Sequence, residues 1–201
     1  MKLVEQWDFR DLGDVRVTSH YEFARTSTDP AAPRGGGLTF GVKLPTGKHD
    51  VANADGDQAE RTLQPGTGTT DLLIGAYYGG ALPLEDVSWF AQVGGVIPMN
   101  SRDGFKPGKQ LRLDGGIRYG FMRDGAVMLQ VNYVAKGRDS GENAEPEDSG
   151  QRAIFASPGV SWNLTKQTQV YAFANLPLYQ SVNGVQLVAR YSFLAGVSSR
   201  F

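Results

Sequence analysis

Arg112, Asp114 and Arg118 fall at even spacing, which puts all three on one side of an extended strand. Two guanidinium groups around one carboxylate leave a positive local field, and a low-dielectric wall would focus it on passing anions. Polar residues recur at the same even spacing elsewhere: Arg16, His20 and Glu22 near the start, Lys43, then Gln130, Asn132 and Lys136, and Arg190 near the end. If these runs are strands, the residues form one lining, and two chemistries follow. Mixed signs would fill a narrow interior as a cross-strand salt-bridge network. Alternatively, they would line a solute path and set its selectivity.

Other chemistries find little support. The chain of 201 residues has no cysteine and two histidines, His20 and His49, so thiol catalysis, thiolate metal sites and disulfides are excluded. Residues 49–60 hold His49, Asp50, Asn53, Asp55, Asp57 and Glu60, which suggests a calcium loop. The EF-hand spacing fails, because placing Gly56 sixth puts Val51 first and Thr62 twelfth. This segment and the acidic run Asp139, Glu142, Glu145, Glu147, Asp148 read as solvated loops. There is no Gly-x-Ser-x-Gly elbow, and no catalytic residue, metal or cofactor is expected. With 20 Lys and Arg against 21 Asp and Glu, the balance is too flat for a nucleic-acid binder.

The elements that must position these residues are strands. Leu111, Leu113, Gly115, Ile117, Tyr119 and Phe121 alternate with Arg112, Asp114, Gly116, Arg118 and Gly120; Val127, Leu129, Val131 and Tyr133 alternate with Met128, Gln130 and Asn132. Such alternation predicts nine strands, over 14–24, 36–45, 68–80, 86–98, 109–122, 125–136, 152–164, 168–179 and 185–201. In the third, fourth, seventh and eighth both faces carry apolar residues, so their phase stays open. Tyr77, Phe90, Phe155, Tyr171 and Phe173 would make the lining more apolar if they faced inward.

Short turns alternate with long polar loops at 46–67, 99–108 and 137–151, and Asn183-Gly184 signals a tight type I′ hairpin before the last strand. Strands beyond ten residues, loops sorted by length and aromatics near strand ends (Trp89, Tyr119, Phe121, Trp162, Tyr179, Phe201) together predict an all-β, antiparallel up-and-down transmembrane barrel. No apolar run is long enough for a membrane helix, and Glu5, Gln6 and Asp8 interrupt any export signal after Met1.

Four segments then resemble one family in order: Gly41-Val42-Lys43-Leu44-Pro45-Thr46-Gly47; Leu63-Gln64-Pro65-Gly66-Thr67-Gly68-Thr69-Thr70-Asp71-Leu72; Ser157-Pro158-Gly159-Val160-Ser161; and Leu176-Pro177-Leu178-Tyr179-Gln180-Ser181-Val182-Asn183-Gly184. With Gly13-Asp14-Val15-Arg16 they are similar to the outer-membrane transporters labelled for the meta-pathway of phenol degradation, themselves akin to outer-membrane channels for fatty acids and aromatic hydrocarbons. The resemblance spans residues 13–201. It implies a Gram-negative outer-membrane, porin-like channel passing small aromatic or hydrophobic molecules. The closing residues Phe193, Val197 and Phe201 resemble the signal read by the barrel-insertion machinery, although Ser199 departs from it.

That ending puts the long loops outside and leaves strand one starting outside. Single-chain bacterial barrels are even-stranded, so residues 14–201 read as a fragment, the C-terminal part of a barrel of 10 or 12 strands. Residues 1–13 read as an external loop remnant. The expected partners are outer-membrane lipid, lipopolysaccharide and a small solute, with no nucleic acid. A barrel plugged by its salt bridges is one alternative. A soluble lipocalin-like barrel, with apolar residues inside and polar residues outside, is the other.

Overall fold

The computed structural model describes residues 10–25, 35–186, 188 and 190–199. They form one antiparallel sheet of nine strands in sequence order: β1 (Val15–Arg25), β2 (Gly35–Leu44), β3 (Asp71–Ala81), β4 (Val87–Pro98), β5 (Gln110–Gly120), β6 (Gly125–Lys136), β7 (Gln151–Asn163), β8 (Thr168–Val182) and β9 (Ser192–Ser199). Each strand pairs with the next, and no pairing joins β1 to β9 among the described residues. The sheet is therefore an up-and-down meander, open at both edges. No helix occurs among these residues.

Length-sorted connections follow from the direction of the strands. Residues 82–86, 121–124 and 164–167 are tight turns at one end. The first closes through Leu82 N–H donating to Val87 C=O at 2.9 Å, with Asp86 in the left-handed region at φ 59°. At the other end lie the long connections 45–70, 99–109, 137–150 and 183–191.

Register settles the phase that alternation left open, because directly paired residues share a face. Arg112 pairs with Gly94 and Val134, Asp114 with Gln92 and Asn132, and Arg118 with Ser88 and Met128. Following these rows outward places Tyr77, Phe90, Phe155, Tyr171 and Phe173 on that same polar face. The opposite face is apolar from edge to edge: Val17 and Tyr21, Phe40 and Val42, Leu72 and Ile74, Trp89 and Val93, Leu113 and Ile117, Leu129 and Val131, Ile154 and Val160, Val170 and Leu176, Phe193 and Val197.

The two faces also differ in enclosure. On β4 to β7 the polar-face residues Phe90, Asp114, Gln130, Asn132 and Phe155 are half-buried, while Arg112 is exposed. The apolar side chains are largely exposed; Ile117 is 52%, Val131 50% and Phe193 76% accessible. A sheet in water alternates the other way, hydrophobic toward its core.

Two expectations need correction. The last strand begins at Ser192, not at 185, and Asn183-Gly184 is no type I′ turn. That turn needs positive φ at both central residues, and only Gly184 has it, at 57°. The neighbouring loop captures the segment instead. Asn183 Nδ2 donates to Ser149 C=O at 2.8 Å, and Val185 N–H donates to Asp148 Oδ1 at 2.8 Å. Consequently Arg190, expected on the wall, is an exposed residue of the 183–191 connection. β8 runs on to Val182, and its register with β7 shifts where Leu178 is passed over, between Ile154 and Phe155.

Candidate functional site

Apart from Arg190, the polar lining expected from spacing is brought to one face: Arg16, His20, Glu22, Lys43, Arg112, Asp114, Arg118, Gln130, Asn132 and Lys136. Lys43 and Lys136 pair with carboxylates outside this set, whereas the central positions are joined by uncharged donors. Asp114 Oδ1 accepts from Asn132 Nδ2 at 2.9 Å, and Ser157 Oγ lies 2.7 Å from Oδ1 of both Asn132 and Asn175. Asn175 Nδ2 then donates to Ser192 Oγ at 2.9 Å. This neutral ladder crosses β5 to β9 and satisfies the one carboxylate between the arginines. Arg112 and Arg118 form no ion pair among the described residues, and Arg118 Nε is buried without a hydrogen-bond partner there. The arrangement offers guanidinium donors to an acceptor from outside the wall.

The aromatics of this face lie along the wall because glycines leave room for them. A Cβ on Gly116 would stand 2.7 Å from the Phe90 ring, one on Gly37 2.6 Å from Tyr77 Oη, and one on Gly196 2.5 Å from the Tyr171 ring; Gly159 lies under Phe173 in the same way. Rings seated on cross-strand glycines cover backbone that would otherwise be bare. At the other edge, His20 Nδ1 sits 3.0 Å from Thr39 Oγ1.

Lys43 does not line open space. It is 4% exposed, and its ammonium lies 3.0 Å from Asp14 Oδ2 and 2.9 Å from Asp71 Oδ2, carboxylates that are 6% and 5% exposed. It also donates to Thr67 Oγ1, while Thr69 Oγ1 donates to Asp71 Oδ1 at 2.7 Å. Asp14 Oδ1 accepts from Gly47 N–H at 3.0 Å, and Oδ2 accepts from Thr67 N–H at 3.0 Å and Thr67 Oγ1 at 3.1 Å. Burial pushes the Asp14 carboxyl up, but the Thr67 and Gly47 amides and the Lys43 ammonium outweigh it and hold it below its ordinary range. Three of the segments quoted above, around Gly13-Asp14, Lys43–Gly47 and Pro65–Asp71, thus converge on one buried ion cluster.

Spacing put Lys43 on the wall but missed Asp14, Asp71, Thr67 and Thr69 as a site. The available signal was polar and glycine residues concentrated where three strands begin or end.

Beyond the cluster the long loops pack together. Arg61 donates to His49 C=O at 2.6 Å and Arg102 C=O at 3.2 Å, with its guanidinium 5.1 Å from the centre of the buried Phe105 ring. Asp139, also buried, accepts from Lys136 Nζ at 2.8 Å and Gly108 N–H at 2.7 Å. Residues 49–60 are organised by Asn53, whose Oδ1 accepts from Asp55 and Asp57 N–H, and not by convergent carboxylates. Among the described residues no group of three or more His, Asp or Glu side chains is placed to hold a metal.

Compared with known proteins, the chain matches no family model and no curated protein sequence.

Proposed function

We propose that this sheet is part of an outer-membrane β-barrel that passes small molecules along its polar face. The observation that carries the reading is the continuous, largely exposed apolar face across nine strands, opposite a polar face that is half-buried at its centre. Lipid is the solvent that suits such a surface. The lipocalin-like alternative needs the reverse distribution. A spanning wall leaves no open edge, so the reading includes further strands joining β1 to β9. The motif resemblance adds the solute class, small aromatic or hydrophobic molecules, and the expected partners: lipid, lipopolysaccharide and, through Phe193, Val197 and Phe201, the insertion machinery. Phe201 lies outside the described residues.

Support for conduction over a plugged wall comes from Arg112 and Arg118, whose guanidinium groups are not consumed by ion pairs among the described residues. Reconstituted in planar bilayers, the protein should conduct with a mild preference for anions such as phenolates. Changing both arginines to Gln should move the reversal potential toward cation preference while the folded, heat-modifiable form persists. No conductance, with no solute flux in liposomes, would overturn the channel reading.

A further inference from the structure

The longest described connection, 45–70, is pinched at its neck. Gly66 N–H donates to Lys48 C=O at 2.7 Å, and the backbones of Gly47 and Gly66 meet so closely that a Cβ on Gly47 would stand 2.9 Å from Gly66 Cα. One carboxylate holds both sides of that neck: Asp14 takes Gly47 N–H on one oxygen and Thr67 N–H on the other. Asp14 itself belongs to the segment that enters β1, so the loop is fastened to the start of the sheet.

The body of this loop leads into the others. Arg61 ties it to 99–109 through Arg102 C=O; Lys106 and Ser140 exchange backbone hydrogen bonds of 2.8 and 2.9 Å between 99–109 and 137–150; Val185 N–H joins 183–191 to Asp148. These hydrogen bonds link the loops in one chain of contacts. It is fastened to the start of β1 by Val15 N–H donating to Thr46 Oγ1 at 2.8 Å, by the exposed Lys48–Asp11 pair at 3.1 Å and by Asp14. Of the two carboxylates, Asp14 is the one at low exposure, an arrangement costly to desolvate unless every partner is kept.

We propose that the 45–70, 99–109 and 137–150 loops form a single shutter at their end of the sheet, and that Asp14 is its latch. Release of the neck frees the 45–70 loop and, through Arg61, loosens the rest, while the Lys43–Asp71 pair keeps β2 and β3 together. This goes beyond solute passage, and its test does not depend on conduction.

Asp14→Asn keeps Lys43 charge-balanced against Asp71 but sets an NH2 group against one of the donors that Asp14 now accepts. Gly66→Ala forces the neck apart against Gly47 C=O and crowds Asp14 Oδ1 at 2.8 Å, without changing any charge. Full-length protein in detergent is treated with trypsin under native conditions, and cleavage after Arg61 is followed by mass spectrometry. Both variants should retain heat-modifiable mobility and be cut after Arg61 about tenfold faster than the parent, as local opening predicts. Parental cleavage rates in a folded variant would overturn the latch. Loss of the folded form in both variants would also overturn it, because the cluster would then hold the sheet and not the shutter.

Discussion

Leu113→Arg should destabilise the folded protein in a lipid bilayer by about 2–4 kcal/mol if the position lies near the midplane, and Val131→Arg should do the same. Both side chains are exposed on the apolar face, and β5 and β6 pair around them. An arginine there must enter hydrocarbon or bend toward the interface. Gln130→Arg, on the polar face opposite Gly116 and Ser157, should be mild. Asn132→Arg should not be, although spacing alone groups it with Gln130, because Asn132 bridges Asp114 and Ser157. Urea titrations in lipid vesicles, read by tryptophan fluorescence, rank the four. Severe loss at Gln130 with none at Leu113 would mean that the faces are inverted.

Lys43→Met should be comparably damaging, costing about 3–5 kcal/mol, since removing one partner of a buried charge group strands the others. Here it strands two carboxylates at 6% and 5% exposure. Adding Asp71→Asn should recover part of the loss, so the two changes should be non-additive, as residues within one network are. The same denaturation series measures it. A Lys43→Met protein within about 1 kcal/mol of the parent would mean that the cluster is hydrated and weak, as surface ion pairs are.

Strand existence and phase were legible where one face is mainly polar or glycine and the other apolar, as in β5 and the middle of β6. Existence was legible without phase in β3, β4, β7 and β8. There, Tyr77, Phe90, Phe155 and Phe173 make the inner face look apolar, and only the register reveals their side. Alternation through 185–191 overextended the last strand. Period two carries no information about Asp148 and Ser149, whose hydrogen bonds draw Asn183 and Val185 away from pairing. Lys43 showed its face but not its partners, because Asp14 and Asp71 lie in other segments of the sequence and meet it only when β1, β2 and β3 align. Glycine seats under aromatic rings are equally non-local: Gly116 and Phe90 belong to different strands.

The absence of cysteine from the sequence permits a direct test of the membrane-facing wall. Single cysteines placed in turn through residues 110–120 each carry the only thiol, and a nitroxide on each reports collision with lipid-soluble oxygen or with a water-soluble nickel complex in reconstituted vesicles. The account predicts a period of two across β5, with oxygen favoured at 111, 113, 117 and 119 and nickel at 112, 114 and 118. Nickel access at both sets of positions, or the opposite phase, would contradict it.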